Sequence, residues 1–582
     1  MARQYRVVDH IVEQLAAMGI THIFGVDGAN IEDIYDAAHF RPDITAVLAK
    51  HEFSAATMAD GHSRSGAGLG VVVATSGGGA LNVVPGLGEA YASRVPVLAL
   101  IGQPPTAIDG RGSFQDMSGI NGALDAEALF SAVSVFCQRV SAPADIVPAL
   151  ARACAAARSG GPAVLLLPKD IQQAEIDVPA APDAIVSHNQ IGDPHTIARA
   201  LRRAVGPVTI IAGEQVARDD ARDELEALRA QLRARIATVP DAKDVAGTPG
   251  YGSSSALGVT GVMGHPGVAD AVAGSGVCLI VGTRLSVTAR AGLDEALASV
   301  PVVSLGSAAP YIPCTHVHTN DLRGSLRLLA VALSGNGRPA GLRVPDRLTL
   351  TELSPPRFDG PGVRYRDAMA VLDAVLPDGT DIVVDAGNTG ASAIHYLPAR
   401  RDGRFVVALG MGGMGYSFGA GLGMAFGAMS ARAKSQPAPR SRTIVIAGDG
   451  AFFMHGMEIH TALQYRLPVT FVLFNNNAHA MCVTREQLFY DDLYSYNRFG
   501  PSSLGAGLAA MFPGLRSVDV FDISELADGL GAALAADGPS VVSIECAADE
   551  IPPFAAFLGK SASKPQLIND MKEKSHDVAA RT

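Results

Sequence analysis

The six cysteines of this 582-residue chain (Cys137, Cys154, Cys278, Cys314, Cys482 and Cys546) never form a CxxC pair. Scattered in this way they suit reduced core thiols in a cytoplasmic protein. No run approaches the roughly eighteen apolar residues needed to cross a bilayer, so no membrane span is expected. The opening stretch, MARQYRVVDHIVEQL, reads as an amphipathic helix and lacks the apolar core of a secretion signal. Positive charge is also short, with 46 Lys+Arg against 57 Asp+Glu and a net charge of −11. That balance argues against nonspecific binding to nucleic acid. Tryptophan is missing altogether.

Glycine, by contrast, is abundant at 63 residues, in a globular composition with 48% hydrophobic and 18% charged residues. A chain this long outgrows one hydrophobic core, so two to four domains are expected. In the first third, strands are predicted at 22–26, 44–48, 71–75 and 95–102, with helices at 31–38, 50–65 and 81–93. A further buried strand ends at Pro168. Repeated β-turn-α units give a doubly wound parallel sheet. The middle reads alike, with strands at 208–212 and 277–281 and one charged helix over 219–235. It carries no convincing glycine-rich dinucleotide fingerprint; Gly264-His265-Pro266-Gly267 and Gly282-Thr283-Arg284 are weak hints. The last third places strands at 382–384, 443–447 and 468–474. Proline-rich stretches near 175–190 and 339–361 read as linkers. The expected fold class is α/β, with three doubly wound parallel-sheet domains over 1–175, 190–345 and 362–560 and a charged tail at 561–582.

The stretch from Gly448 to Met481 organises the rest. An apolar strand, a Gly448-Asp449-Gly450 turn, a helix at 457–464 and a second strand make one βαβ unit. It delivers Asp449 and Asn475-Asn476-Asn477 to the carboxyl ends of neighbouring strands, where open α/β sheets bind ligands. Asp and Asn offer hard oxygens suited to an octahedral Mg²⁺ that completes its shell with water and phosphate. This GDG followed by an NN pair resembles the thiamin-diphosphate motif of the decarboxylase and acetohydroxyacid (acetolactate) synthase superfamily. The resemblance implies Mg²⁺ held by Asp449, Asn476 and the main-chain carbonyl of Ala478. Gly448, Gly450, Ala451, His479 and Met481 would then line the cofactor.

Other stretches extend the resemblance over nearly the whole chain. Lys50-His51-Glu52, followed by Ala55 to Gly61, is similar to the helix carrying the activating glutamate. Glu52 would favour the imino form of the pyrimidine, which acts as an internal base on the thiazolium C2. Ser113-Phe114-Gln115-Asp116 looks like the synthase loop in which a Phe-Gln pair lines the site. Gln115 would hydrogen-bond a carbonyl or alkoxide without titrating, and Phe114 would supply an apolar wall. Asp385-Ala386-Gly387-Asn388-Thr389-Gly390 resembles the diphosphate-side loop, where small residues let main-chain N–H groups face phosphate oxygens. Gly410-Met411-Gly412-Gly413-Met414-Gly415 resembles the pattern that props the cofactor in a bent V. Met414 would be the prop, and the Gly412 carbonyl would accept from the pyrimidine amino group. The three domains are then pyrimidine-binding, central and diphosphate-binding in order.

The departures from the superfamily's decarboxylases bear on the reaction. Pyruvate-type decarboxylases carry two adjacent histidines near the Phe-Gln position and a glutamate soon after the Asn pair. This chain has no such histidine pair, and Cys482 stands in the glutamate's place. His51 and His62 read as packing or surface residues. Without those proton donors, carboligation is favoured over aldehyde release. Synthases usually place tryptophan where Arg485 stands, which leaves the acceptor open to anionic or polar compounds. The expected function is a thiamin-diphosphate-dependent carboligase that decarboxylates a 2-oxo acid such as pyruvate and joins the remainder to a second carbonyl compound. The alternatives are a non-oxidative 2-oxo acid decarboxylase, an FAD-dependent pyruvate oxidase-like enzyme, and a non-catalytic cofactor-binding paralogue. FAD is open but not favoured, and a structural central domain is the expectation. A homodimer or homotetramer is implied, with the pyrimidine and diphosphate sides drawn from different subunits.

Overall fold

The computed structural model describes residues 5–177, 190–246, 256–334, 350–434 and 442–561. Among these, the strands pair in parallel into three six-stranded sheets flanked by helices. The first holds β1 (His22–Val26), β2 (Thr45–Leu48), β3 (Gly70–Ala74), β4 (Val97–Gln103), β5 (Phe136–Arg139) and β6 (Pro162–Pro168), in the order β2-β1-β3-β4-β6-β5. The second holds β7 (Val208–Ala212), β8 (Arg235–Thr238), β9 (Ala256–Val259), β10 (Val277–Val281), β11 (Val302–Gly306) and β12 (Thr315–His318). The third holds β13 (Asp381–Val384), β14 (Phe405–Val407), β15 (Thr443–Gly448), β16 (Val469–Asn475), β17 (Arg516–Val520) and β18 (Ser540–Glu545). Its order, β14-β13-β15-β16-β18-β17, repeats that of the first sheet position by position. The middle sheet runs β12-β11-β10-β7-β8-β9, the order of dinucleotide-binding doubly wound folds.

Inner strands such as β3, β4, β6, β7, β10 and β16 are buried along their whole length. That burial is why they read as continuous apolar runs rather than alternating ones. The edge strands β2 and β12 are part-exposed and polar at intervals.

Six helices carry the arguments that follow: α1 (Glu52–Arg64), α2 (Gly78–Ala92), α3 (Asn388–Tyr396), α4 (Tyr416–Lys434), α5 (Asp449–His455) and α6 (Ala480–Phe489). The α1 helix of the first unit lies along α4 of the third, and one continuous core joins Phe24, Val72 and Ala99 to Phe418, Leu422, Phe426 and Phe471. Each fully buried phenylalanine of that seam contributes about 1.5–3 kcal/mol over leaving it exposed. Where the three units meet, Arg404 donates to Asp244 at 2.8 Å, to Glu214 at 2.8 and 3.1 Å, and to the Arg64 carbonyl.

Two local expectations are corrected. The charged helix expected over 219–235 is broken: one turn covers Gln215–Arg218, a helix covers Arg222–Leu232, and β8 begins at Arg235. Asp220 and Arg233 adopt left-handed backbone conformations, φ 48° and 49°, which no helix interior tolerates. Gly448-Asp449-Gly450 is not a free-standing turn but the start of α5, since the glycine that ends a strand can also precede a helix. Most of the first linker, part of the second and nearly all of the tail lie outside the described residues.

Candidate active site and cofactor cleft

Where consecutive strands of a doubly wound sheet set off in opposite directions, the crevice at their carboxyl ends is the place for a ligand. In the third sheet the reversal falls between β13 and β15. Asn388 opens α3 after β13, and Asp449 opens α5 after β15. The register pairs Gly448 with Phe474, so Asp449 and the asparagine run emerge at one level. A Cβ placed on Gly448 would lie 3.8 Å from Thr389 Oγ1, which brings the two loops together.

Asp449 is buried; its Oδ1 accepts from the Gly450 N–H at 2.9 Å and its Oδ2 from the Ala478 N–H at 3.2 Å. Burial pushes its pKa up to about 6 against the pull of those N–H groups and the ones on Asn476 and Asn477. The three asparagines divide their work. Asn475 donates to the Ser502 carbonyl and to Glu545, each at 2.8 Å. Asn477 Oδ1 accepts from the Ser502 N–H and hydroxyl, both at 2.9 Å. Asn476 donates to the Tyr365 hydroxyl at 3.1 Å, and its Oδ1 is buried without a hydrogen-bond partner. Asn388 Oδ1 and His479 Nδ1 are in the same condition.

A buried acceptor left without a donor costs about 1–3 kcal/mol, a cost that a cation relieves. Carboxylate and amide oxygens are the donors Mg²⁺ prefers, and the first turn of α3 presents N–H groups to an anion. The residues present therefore fit a metal-bridged diphosphate. Among the described residues no cluster of three or more His, Cys, Asp or Glu competes for a metal.

Gly450 has to be glycine, because a Cβ there would come within 2.5 Å of His479 Nδ1 and 3.2 Å of Met414 Cε. The same contacts place Met414, half-buried, and His479 over the start of α5. Ala451 is buried in the core, Met481 packs on the core of the third sheet, and Gly412 is exposed with φ 66°. Cys482 Sγ accepts from exposed Arg485 at 3.9 Å.

The first sheet reverses between β1 and β3. Gln115, in a left-handed conformation at φ 62°, turns its Oε1 toward the hydroxyls of Thr75 (3.4 Å) and Ser76 (3.3 Å) just beyond β3. Half-buried Glu52 accepts from Asn82 at 2.9 Å, and a Cβ on Gly79 would lie 3.1 Å from its Oε1 and 2.9 Å from Thr75 Cγ2. Glu52 and Gln115 are thus brought to one turn. Phe114 is 79% exposed and walls nothing within this chain. His51 caps α1, its Nδ1 accepting from the Phe53 N–H at 3.0 Å, while His62 is buried. The Phe53 ring lies 4.4 Å from that of His455, and a Cβ on Gly413 would be 3.3 Å from Phe53 Cζ. The start of α1 therefore reaches the 410–415 loop of the same chain.

Three residues escaped the sequence reading: Tyr365, Glu89, and Asp385 in its role as an acceptor. Asp385 takes the N–H groups of Gly415 and Ser417, each at 3.0 Å. A lone carboxylate in an otherwise apolar helix, as in the GLGEAYA run around Glu89, was the signal available. The central sheet reverses between β7 and β10, above a cavity of ≈ 390 Å³ lined by Arg94, Arg218, Arg284 and Tyr311. The Arg284 guanidinium stacks 4.2 Å from the Tyr311 ring centre. Burial, with Arg218 and Arg284 nearby, lowers the Arg94 pKa.

Three doubly wound units, two of them with polar clefts at matching positions and one cleft whose residues fit a metal-bridged diphosphate, have the make-up of a multidomain cofactor-dependent α/β enzyme. Family models agree along the chain: the N-terminal TPP binding domain of thiamine pyrophosphate enzymes matches residues 5–122, the central domain 195–310 and the C-terminal TPP binding domain 385–544. The chain belongs to the thiamine pyrophosphate enzyme family. It is 28% identical over 564 residues to a probable acetolactate synthase large subunit of Methanocaldococcus jannaschii, covering 92% of this chain and 90% of that one. It is 26% identical to the acetolactate synthase isozyme 2 large subunit of Escherichia coli K12, over 96% and 99% of the two chains. In fold it is similar to a putative thiamin diphosphate-dependent enzyme from Mycobacterium smegmatis (TM-score 0.77, 22% identity, 94% and 100% covered). Benzoylformate decarboxylase from Polynucleobacter necessarius gives the same TM-score, 0.77, at 18% identity and the same coverage.

Proposed function

We propose that this enzyme is a carboligase: it takes a 2-oxo acid such as pyruvate, releases CO₂, and joins the remaining fragment to a second carbonyl compound. When bound, thiamin diphosphate supplies the electron sink that decarboxylation of a 2-oxo acid requires. Asp449, Asn476 and the Ala478 carbonyl would hold Mg²⁺ and through it the diphosphate, with Gly387, Asn388 and Thr389 on the phosphate side. Gly412 and Met414 would orient the pyrimidine half, beside Gly448, Gly450, Ala451, His479 and Met481. Glu52 holds a proton at the pyrimidine ring nitrogen, and Gln115 offers its amide to the donor's oxygen. We assign residues 1–175, 190–345 and 362–560 to pyrimidine-binding, central and diphosphate-binding domains, and take the active unit to be at least a dimer with Glu52 facing its partner's cleft.

One observation carries the choice of carboligation. The two places where a proton donor would release an aldehyde hold an amide, Gln115, and a thiol, Cys482. The amide does not titrate, and the histidine pair and glutamate that serve the decarboxylases are both missing. The similarity to acetolactate synthases over nearly the whole chain supports the same reading. Mass spectrometry of the products from pyruvate alone, then with a panel of aldehyde and 2-oxo acid acceptors, tests it. Acetolactate or another acyloin is expected. Acetaldehyde alone would make it a decarboxylase, and no turnover with bound cofactor a non-catalytic paralogue. A second reading, a flavin-bearing oxidase, is favoured only by the arginine-lined central cavity. A flavin absorption spectrum with acetate and peroxide as products would establish it.

A further inference from the structure

Glu89 lies in α2 with 2% of its surface exposed. Its carboxylate leaves the first sheet unit and meets the loop of the third that carries Gly412 and Met414. Oε1 accepts from the Gly410 N–H at 3.1 Å; Oε2 accepts from the Met411 N–H at 2.6 Å and the Gly412 N–H at 3.3 Å. Three successive N–H groups converging on one anion form a nest of the kind that usually receives a ligand, and here a side chain fills it. The Ser93 hydroxyl adds a fourth bond to Oε1 at 2.7 Å. Charge-assisted bonds of this number offset the desolvation of a buried carboxylate. The fit is close: a Cβ on Gly410 would come within 2.9 Å of Glu89 Oε1 and 2.7 Å of Ala92 Cβ.

The far end of the same loop is held by the buried carboxylate of Asp385, through Gly415 and Ser417. Between the two anchors stand exposed Gly412 and half-buried Met414. The left-handed conformation of Gly412, φ 66°, would strain under any side chain. Glu89 thus fixes the peptide planes immediately before the Gly412 carbonyl, and it does so from the first unit of the same chain.

We propose that Glu89 is a positioning residue for the cofactor: through Gly410, Met411 and Gly412 it sets where the Gly412 carbonyl and Met414 stand against the pyrimidine half. This rests on the roles given to Gly412 and Met414 in the proposed function, and adds a residue remote from the phosphate side. The test is calorimetric titration of full-length protein with thiamin diphosphate and, separately, with inorganic pyrophosphate, both in Mg²⁺, for wild type, E89A and E89Q. Amide hydrogen exchange on the cofactor-free proteins accompanies it. Pyrophosphate engages only the metal side of the cleft.

E89A is expected to weaken thiamin diphosphate by about ten- to a hundredfold, the size of a lost charge-assisted hydrogen bond. It leaves pyrophosphate binding unchanged and speeds exchange at 410–412. E89Q, which keeps one acceptor oxygen, falls between; if E89A does not fold, E89Q shows the same split. Equal weakening of both ligands would overturn the proposal, as would unchanged thiamin diphosphate affinity with unchanged exchange. A wild type that binds neither ligand overturns the proposed function instead, and exchange at 410–412 still decides whether Glu89 holds the loop.

Discussion

Exchanging Glu52 for glutamine keeps the side chain's length and an acceptor for Asn82 while removing the proton the pyrimidine would share. E52Q should lose about 10²- to 10⁴-fold in turnover, the usual weight of a positioned acid or base. Cofactor affinity by calorimetry should hardly move; a variant that kept full activity on a working substrate would refute the role. At this scale the sequence was legible where chemistry demands a residue type. The Asp449 and asparagine pattern pointed to oxygen ligands, and the hydrogen-bond pattern singles out Asn476 because Asn475 and Asn477 are already spent on Ser502 and Glu545. Glu89 stayed hidden because its partners are main-chain N–H groups, which every residue has and no motif advertises.

Two elements carry predictions that run against ordinary expectation. In an exposed helix Gly→Ala gains about 1 kcal/mol. Gly423 of α4 is different, since a Cβ there would lie 1.9 Å from the Met58 carbonyl oxygen of α1. G423A should therefore destabilise by roughly 1–3 kcal/mol, as overpacking does, measured by urea unfolding.

The carboxyl end of α3 is capped by buried Lys243, whose Nζ donates to the carbonyls of Ile394 at 2.5 Å and Leu397 at 2.6 Å. Burial lowers its pKa to about 7, against about 10.4 when unfolded. Between those values the unfolded chain binds the extra proton, so this group makes stability rise with pH from about 7 to about 10. A neutral amine still has two N–H bonds for the two nearer carbonyls, that of Ala393 lying farther off at 3.4 Å. K243M should erase that part of the slope in unfolding measured across the window. Element boundaries were clear for β1, β7 and β10, short apolar runs whose ends the sequence marks. They were obscure for α5 and β8, where glycine and charged residues signal turns and helix ends alike.

For the whole molecule, Arg404 is the point where three sheet units share one cation. Asp244, fully buried and also paired with Arg222, and Glu214 depend on it. Taking one partner from a buried ion pair costs about 3–5 kcal/mol because the remaining charge stays stranded. R404M should fall by that amount in calorimetric unfolding and separate the transitions of the units; a single transition at the wild-type temperature would contradict it. The number of units and their α/β character were readable from glycine turns and repeated strands. Their mutual packing was not, because contacts such as Arg404 with Arg64 join residues far apart in sequence, and no local pattern records them.

The seam between α1 and α4 also has a consequence for how the protein is made. On the ribosome α1 emerges early, and its mate appears only after the whole central unit has been translated, tens of seconds later at roughly 5–20 residues per second. Through that interval the small-residue flank of α1 and the rings behind it have nothing to lie against. Nascent chains halted before Tyr416 should sediment as aggregates unless a chaperone shields them, whereas chains that run on past Glu545, with the third sheet complete, should stay dispersed.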